Sequence, residues 1–317
     1  MAGSGPFAGG GRYNSYGAFL REKFGCRVQK VAVDAGFTCP NRDGTVAVGG
    51  CTYCNNDSFR PSSADRSLPV GRQVENGIRH LRRRCRAEKF IVYFQPFSNT
   101  YAPLDVLGPL YEEALAHEDV IGLSVGTRCD CVDEAKLGWF AELARRKFVT
   151  IEYGLESVHD RTLERINRGH DFRCFADAVS RTRDRGIFIC AHLILGFPWE
   201  TRDEMLESAQ VVSRLGLNFL KLHHLHVARN TPMGLEYQRQ PFPLMSCADY
   251  VDLVVCFLEL LNPAISLERL VADVREDLLL APRWGKGKAG IQRAIESELA
   301  TRNTYQGRLY GPAIAVS

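Results

Sequence analysis

Six short apolar segments, rich in β-branched residues, recur along the chain and alternate with segments of helical periodicity. They are KVAVDAG, KFIVYFQ, VIGLSVGTR, FVTIEYGLES, FICAHLILGF and FLKLHHLHV. Buried strands that alternate with helices predict a parallel sheet, either doubly wound or curled into a barrel of the TIM type. Six units are fewer than the eight of a closed barrel, so a barrel formed by this chain would be open and partial. Its ligands would bind at the carboxyl ends of the strands.

The segments on either side of the barrel have a different character. Residues 1–11 form a Gly-rich tail, expected to be disordered, and SYGAFLREKFG predicts a short helix that Gly25 ends. With this helix, the barrel is expected to span residues 12–229. Residues 230–317 predict a C-terminal helical extension packed on the barrel, in which PFPLMSCADYVDLVVCFLELL is the strongest apolar helix.

Composition and charge exclude several classes of protein. With 317 residues, 45% hydrophobic and 24% charged, the chain has the composition of a globular protein, and its formal net charge of +3 is too small to predict nucleic-acid binding by the whole molecule. The sequence contains neither a membrane-span-length apolar run nor a signal peptide core, so we expect a cytoplasmic protein with no membrane partner. In that reducing compartment, grouped members of the 11 cysteines favour metal or cluster binding over disulfides.

Three cysteines lie close together in a Gly-rich loop after the first strand. Cys39, Cys51 and Cys54 have the spacing C-x11-C-x2-C. Two residues between thiols let both reach one metal centre, and the glycines let the longer loop fold back with the third. Three thiolates suit an iron-sulfur cluster with one iron left open, or zinc with a distant fourth ligand. Simple packing of the cysteines is a further alternative.

This cysteine loop, together with INRGHD, AHLILGFPWET and KLHHLHV, resembles the radical S-adenosylmethionine (SAM) enzymes. It is most similar to the bacterial group of the YhcC type, related to the catalytic subunit of Elongator, from about Arg12 to Gln306. The resemblance implies an α/β fold with a partial (β/α)6 TIM-type barrel, which agrees with the six units of strand and helix. The resemblance implies a [4Fe-4S] cluster on Cys39, Cys51 and Cys54, whose open iron takes the amino and carboxylate groups of SAM. One electron would cleave SAM to methionine and a 5′-deoxyadenosyl radical, which abstracts hydrogen from a substrate.

The same resemblance implies roles in SAM binding for five residues. Tyr53 matches an aromatic position beside adenine, and Arg168 matches an arginine that pairs with the SAM carboxylate. Glu156 would accept hydrogen bonds from ribose hydroxyls. Gly196 would let the backbone approach adenine or ribose closely, and His223 would lie near SAM or substrate. Loop packing, the end of a strand and a hydrogen-bonded core histidine are the respective alternatives for Tyr53, Gly196 and His223.

Other polar residues need separate interpretation. Alternation along the fourth strand also turns Glu152 toward the barrel interior. Neighbouring residues of a strand point to opposite faces, so a metal site shared by His223, His224 and His226 is not expected. Cys129 and Cys131 follow the third strand in TRCDCVD, where the similar proteins usually have TRPDC. An auxiliary cluster or a redox pair is an alternative for these two thiols, but no further group of cysteines would complete a second cluster. Five other cysteines are interpreted as core or helix residues: Cys85, Cys174, Cys190, Cys247 and Cys256.

Two basic runs, RHLRRRCRAEK from Arg79 to Lys89 and RWGKGK near Lys286, raise the question of an RNA partner. A solvated helix face is the commoner explanation for the first run. Relatives in the Elongator group modify wobble uridine in tRNA, so a tRNA wobble uridine is one candidate substrate by analogy. The resemblance further implies an electron donor such as flavodoxin or ferredoxin. The alternative function is that of a non-catalytic zinc-containing or RNA-binding protein on a barrel scaffold.

Overall fold

The computed structural model describes residues 4–56 and 65–311, and its centre is one curled sheet of seven parallel strands. The order in the sheet is β1-β2-β3-β4-β5-β6-β8. The first six strands thus lie side by side in chain order, and β8 pairs with the free edge of β6. The strands are β1 (Val28–Val33), β2 (Lys89–Phe94), β3 (Val120–Thr127), β4 (Phe148–Glu156), β5 (Phe188–Leu195), β6 (Phe219–His224) and β8 (Ser266–Arg269). The six predicted strands are thereby confirmed, as is the α/β partial barrel.

Helices cover the outer face of this sheet. Their apolar sides pack on outward-facing strand residues in one large core cluster. The helices between strands are α2 (Val70–Cys85), α3 (Leu104–Leu115), α4 (Glu134–Ala144), α5 (Asp160–Arg165), α6 (Phe172–Thr182) and α7 (Arg202–Ser213). Within the described ranges, no helix has the length and apolar character needed to cross a bilayer.

The C-terminal part of the chain contributes strands as well as helices. Its helices are α8 (Pro232–Arg239), α9 (Cys247–Leu260) and α10 (Lys288–Thr301), and α9 is the predicted apolar helix. Strand β8 adds a seventh parallel strand beside β6, while β7 (Val227–Ala228) and β9 (Leu279–Ala281) form a small antiparallel pair. Strand β8 was not predicted because SLER is short and half charged, and only its place beside β6 makes it a strand.

An N-terminal helix, α1 (Tyr16–Phe24), closes the base of the barrel. The Ser15 side chain caps its start, and Gly25 ends it in the left-handed conformation with φ 68°, as predicted. Its aromatic residues pack against phenylalanines at the starts of β4, β5 and β6. The aromatic contacts at this base are formed by Tyr16, Phe19, Phe24, Phe148, Phe188 and Phe219. Access to the interior is therefore at the carboxyl ends of the strands.

The first described residues are tied to the last ones. In the Gly-rich segment, Gly5 N donates to Gly10 O at 2.9 Å around a short 3₁₀ turn, Ala8–Gly10. Farther on, Asn14 N donates to Gln306 Oε1 at 2.9 Å, and Gln306 N donates to the carbonyl of Arg12 at 2.9 Å. These contacts fasten the segment beneath α1 to the residues that follow α10.

The barrel interior contains a buried set of charges centred on Glu152. Lys30 Nζ lies 2.6 Å from Glu152 Oε1, and Lys221 Nζ also pairs with the Glu152 carboxylate. Both ammonium groups contact Glu268 as well, at 2.7 and 2.9 Å. Burial would raise the pKa of Glu152, but Lys221 and Lys30 more than offset it and hold that pKa well below its usual range. Two positive and two negative side chains thus balance each other inside the barrel.

Candidate active site

The cysteine loop folds back on itself at the mouth of the barrel. Cys54 N donates to Cys51 O at 2.9 Å, which makes a tight turn of the C-x2-C pair. Gly50, with φ 83°, donates its N–H to Asn41 O at 2.7 Å and so returns the chain toward Cys39. The three thiols line one cavity of about 130 Å³, the cysteine cavity, as the spacing predicted.

A second loop, residues 166–170 between α5 and α6, holds the cysteine loop in place. Asn41 Nδ2 donates to Asn167 O at 2.5 Å, and Asn167 Nδ2 donates to Gly50 O at 3.0 Å. The backbone N–H of Thr52 donates to Ile166 O at 2.9 Å. Gly169, at φ 74°, lies so close that an added Cβ would be 2.5 Å from Asn41 Oδ1. The two loops therefore behave as one packed unit.

Arg168 brings a buried guanidinium to the thiols. Its Nη2 donates to Gly154 O at 2.6 Å, and its Nη1 lies 3.6 Å from Cys51 Sγ. Glu156 Oε1 lies 3.8 Å from Nη2. Burial would lower the pKa of Arg168, but Cys51 and Glu156 outweigh that effect, so the group stays charged. The Nε atom is buried and has no hydrogen-bond partner among the described residues, which leaves one donor available to an anionic ligand.

Arg128, at the end of β3, supports Arg168 from behind. Its Nη1 donates to the carbonyl of Arg168 at 2.7 Å, and its Nε and Nη2 bind the Asp130 carboxylate at 2.8 and 2.6 Å. The bidentate pair fixes the Arg128 side chain, which is 2% exposed. The result is a second cation at the cysteine cavity whose charge is already balanced.

Burial favours the protonated forms of Cys39 and Cys54 when no metal is bound. Burial, and next the neighbouring Cys51, raise the pKa of Cys54 to about 11, and burial raises the pKa of Cys39. A metal that binds thiolates must therefore displace protons here. Arg42 Nη2 donates to the backbone oxygen of Cys54 at 2.7 Å and supplies a further positive charge.

Tyr53 and Glu156 lie where the cysteine cavity opens into a second, larger one of about 290 Å³, the histidine cavity. Tyr53 packs on an apolar cluster that includes Ile194 and Phe197, at and just after the end of β5. Glu156 has φ 70° and follows an irregularity in the pairing of β4 with β5. That local turn directs its carboxylate to the mouth, while Glu152 stays inside.

Gly196 follows β5 with φ 96°, a conformation that side chains rarely adopt. An added Cβ would meet nothing nearer than Met245 Cβ at 3.9 Å, and Gly196 is not among the residues that line either cavity. The backbone turn after β5 therefore requires a glycine at position 196. Trp199 covers the barrel edge, where its Nε1 donates to Thr162 Oγ1 at 3.1 Å and Arg165 lies over its ring.

The three histidines of the sixth strand and its following loop line one cavity, but in the described part of the chain no group of three possible metal ligands joins them. His223 lies near His192 inside the barrel, with ring centroids 5.6 Å apart, and its Nε2 is buried without a partner in the described chain. His224 stacks on Trp284 with ring centroids 4.2 Å apart, and its ring is tilted by 52° against that of His226, 3.9 Å away. All three line the histidine cavity, and burial holds the pKa of each below its usual value.

Several site residues were not found by sequence reasoning. Asn41 and Asn167 join the two loops, and His192 lines both cavities while its Nε2 contacts Glu152 at 2.8 Å. Asn41 follows Cys39-Pro40, and Asn167 precedes Arg168, so adjacency to predicted site residues was the available signal. No local pattern marks His192, because its partner is forty residues away.

The residues present fit the group that the resemblance implies. A [4Fe-4S] cluster needs soft thiolates with room around them, and the cysteine cavity offers three at a mouth open to a larger cavity. An anionic amino-acid group beside it would meet the free Nε donor of Arg168. Tyr53, Glu156 and His223 are the other predicted SAM residues that line these cavities.

Two family models and several relatives match the chain. The Radical SAM superfamily model matches residues 39–212, and the Radical_SAM C-terminal domain model matches residues 217–301. YtqA of Bacillus subtilis is 40% identical over 299 residues, 94% of this chain and 93% of YtqA. YhcC of Escherichia coli K12 is 35% identical over 86% of this chain and 87% of its own. A tRNA uridine(34) acetyltransferase of Dehalococcoides mccartyi is 21% identical over 65% of this chain and 46% of its own.

Among solved structures, the archaeal Methanocaldococcus infernus Elp3 with an N-terminal deletion superposes with a TM-score of 0.69 at 13% identity. The match covers 88% of this chain and 64% of that one, and it shows a shared fold. Two findings establish the family of this chain: its similarity to YtqA extends over nearly its whole length, and the superfamily model matches more than half of it. The chain belongs to the radical SAM superfamily, and it is an enzyme of the kind that uses a [4Fe-4S] cluster and SAM.

Proposed function

We propose that Cys39, Cys51 and Cys54 hold the cluster and that the chain abstracts a hydrogen atom from a uridine of tRNA. When bound, the cluster and SAM supply a 5′-deoxyadenosyl radical by one-electron reductive cleavage. The observation that supports the proposal most strongly is that the three thiols and the buried, charged Arg168 line the same cavity. Arg168 binds the SAM carboxylate, and Tyr53 and Glu156 hold the adenosyl part where the two cavities meet.

The spacing of the thiols weighs against the alternative zinc protein. Tetrahedral zinc holds sulfur atoms only about 3.8 Å apart, because each Zn–S bond is about 2.3 Å. In the described chain, the groups of three possible ligands within 4.8 Å of one another do not include Cys39, Cys51 and Cys54. A cluster with each thiolate on a different iron fits the wider arrangement.

The proposal of a tRNA substrate rests on a basic surface beside the mouth. Arg84, from the first basic run, lines one open concavity together with Lys286, Lys288 and Arg293. Asp273 lines both this concavity and the histidine cavity, so the two adjoin. A phosphate backbone bound by the basic surface would bring a flipped base to the barrel mouth. The distant similarity to a protein named as a tRNA uridine(34) acetyltransferase agrees with this substrate class.

The radical chemistry is tested with protein reconstituted anaerobically with iron and sulfide. We expect the wild type to form 5′-deoxyadenosine from SAM with dithionite, and Cys54→Ala to form none. Cys247→Ala, at the start of α9 outside both cavities, is the matched control and should keep the wild-type rate. Absence of product from a fully loaded wild-type cluster would refute the proposed chemistry.

The substrate is tested separately with tRNA that carries deuterated uridine. Transfer of deuterium into 5′-deoxyadenosine is expected if the abstracted hydrogen comes from uridine. If 5′-deoxyadenosine forms but remains unlabelled, while an added metabolite or peptide extract stimulates its formation, tRNA is not the substrate and the radical chemistry stands.

A further inference from the structure

A second group of metal-ligating side chains lies behind Arg128 and Arg168. Cys129 belongs to a 3₁₀ turn after β3, His170 to the loop between α5 and α6, and Cys174 to the first turn of α6. One ligand atom from each lies within 4.8 Å of the others, and the two Sγ atoms are 3.3 Å apart. Cys129 thus meets Cys174, whereas the sequence suggested Cys131 as its neighbour.

The imidazole of His170 is prepared for ligation. Its Nδ1 lies 3.2 Å from the carbonyl of Asp171, and a proton held there leaves a lone pair on Nε2. That Nε2 is buried and has no hydrogen-bond partner within the described part of the chain. Burial, and then Arg168 and Arg128, lower the pKa of His170 to about 3, so the ring is neutral at neutral pH. A buried, neutral nitrogen without a partner is a cost unless something binds it.

The two thiols sit on backbone that is already fixed. Cys129 is buried directly after Arg128, whose guanidinium is locked to Asp130. Cys174 receives its position from the start of α6, where its N–H donates to the Asp171 side chain at 2.8 Å. The spacing of His170 and Cys174, H-x3-C, resembles ligand spacings in zinc sites.

We propose that Cys129, His170 and Cys174 form a mononuclear zinc site, with water as the fourth ligand. Two thiolates neutralise Zn²⁺, and their release of two protons balances the charge. Tetrahedral zinc requires sulfur atoms about 3.8 Å apart, so the thiols need to separate by only a few tenths of an ångström. Cys174 and His170 are half-buried, which gives water access to the fourth position.

A zinc ion here would tie the end of β3 to the start of α6. The same two segments present Arg128 and Arg168 to the cysteine cavity. The ion would therefore set the position of both cations without contacting the cysteine cavity ligands. This site is distinct from the cluster loop, and its existence does not depend on the proposed reaction or substrate.

Elemental mass spectrometry of the reconstituted protein, residues 1–317, measures its zinc and iron contents together. We expect about one zinc per chain in addition to the cluster iron. Cys174→Ser and His170→Gln should each weaken zinc binding ~10–100-fold in competition with a chelator and keep the iron content. Cys256→Ser, a half-buried cysteine on α9, is the matched control and should retain zinc.

Cobalt replaces zinc as a second, spectroscopic probe in the Cys54→Ala variant, where no complete cluster forms. Intense tetrahedral visible bands with thiolate charge transfer are expected, and Cys174→Ser in that background should reduce them. Wild-type protein that contains no zinc after exposure to equimolar Zn²⁺ would overturn the proposal. Zinc that survives both Cys174→Ser and His170→Gln would do the same, because the ion would then lie elsewhere. Circular dichroism of each variant establishes that it is folded.

Discussion

At the scale of single residues, the site depends on buried charges that are only partly compensated by the protein. Arg168 uses one nitrogen for Gly154 and leaves Nε without a partner among residues 4–56 and 65–311, whereas Glu152 is surrounded by Lys30, Lys221 and His192. An unpaired buried donor is unfavourable unless a ligand completes it. Arg168 is therefore arranged for binding, and Glu152 is arranged for structure.

Arg168→Lys removes the planar fork and its free donor but keeps the positive charge. We expect SAM affinity to fall ~10–100-fold, the range that corresponds to a lost charge-assisted hydrogen bond of about 1.5–3 kcal/mol. Calorimetric titration of the reconstituted protein measures this directly. The control is Arg173→Lys, an exposed position five residues later, which should bind SAM like the wild type. Equal affinity of Arg168→Lys and wild type would contradict the assigned role.

Lys221→Met leaves the buried Glu152 carboxylate with one ammonium partner fewer. We expect the free energy of unfolding to fall by about 3–5 kcal/mol, because one member of a buried ion pair is left uncompensated. Urea unfolding of the apo-protein measures the loss. Lys89→Met, which breaks the exposed pair with Asp119, should cost no more than about 1 kcal/mol. Adding Glu152→Gln to Lys221→Met should recover part of the stability.

The same carboxylate makes stability depend on pH. The folded pKa of Glu152 lies well below the unfolded value of 4.5, so between the two values the unfolded chain binds more protons. Stability therefore rises with pH there; the contribution is complete above about pH 5 and is lost as the pH falls through the folded pKa. Urea midpoints measured from pH 3 to 6 should rise less steeply in Glu152→Gln than in the wild type.

At the scale of elements, the sequence patterns predicted strands and helices but not how loops dock. The six strands that carry β-branched apolar runs were found, because burial on both faces leaves a continuous apolar signal. Strand β8 has no such signal, and the cysteine loop is held where its own Asn41 meets Asn167 and Gly169, which are distant in the chain. Contacts across more than a hundred residues leave no local periodicity. The docking of loop 166–170 on the cysteine loop could therefore be seen only in the structure.

Gly169→Ala tests the docking of the two loops. The substitution places a Cβ 2.5 Å from Asn41 Oδ1 and forces alanine to φ 74°, which costs about 1–3 kcal/mol. We expect less iron per chain after reconstitution and faster loss of the cluster to a chelator. Gly138→Ala lies in an exposed turn of α4 where an added Cβ meets nothing within 4 Å, so it should load like the wild type. Full and stable loading of Gly169→Ala would show that the loops dock independently of this contact.

At the scale of the whole molecule, two basic runs that are far apart in sequence meet on one surface. Part of the first run is neutralised, since Arg82 and Lys89 both pair with Asp119. Arg84 instead lines, together with Lys286 and Lys288, the concavity that adjoins the histidine cavity. The mild net charge of +3 therefore conceals a local concentration of positive charge.

Lys286→Ala with Lys288→Ala should weaken tRNA binding and reduce its dependence on salt. Each phosphate contact contributes a slope of about −0.7 to −0.9 in log affinity against log salt, so the double variant should lose up to about 2 from the slope. Fluorescence anisotropy at several salt concentrations measures it. Arg21→Ala, exposed on α1 at the base, is the control and should leave the slope unchanged. An unchanged slope in the double variant would remove this surface from the proposal.

The fastening of Arg12 and Asn14 to residues 304–306 has a consequence for how the protein is made. Arg12 Nη1 donates to Thr304 O across 292 positions of sequence, and Leu267 N donates to Asn14 O. During synthesis, neighbouring strands can pair as they emerge, but Arg12, before α1, waits for a partner that is made 292 residues later. We expect nascent chains stalled before residue 267 to expose that base to protease, and the cut to disappear only after residue 306 is released.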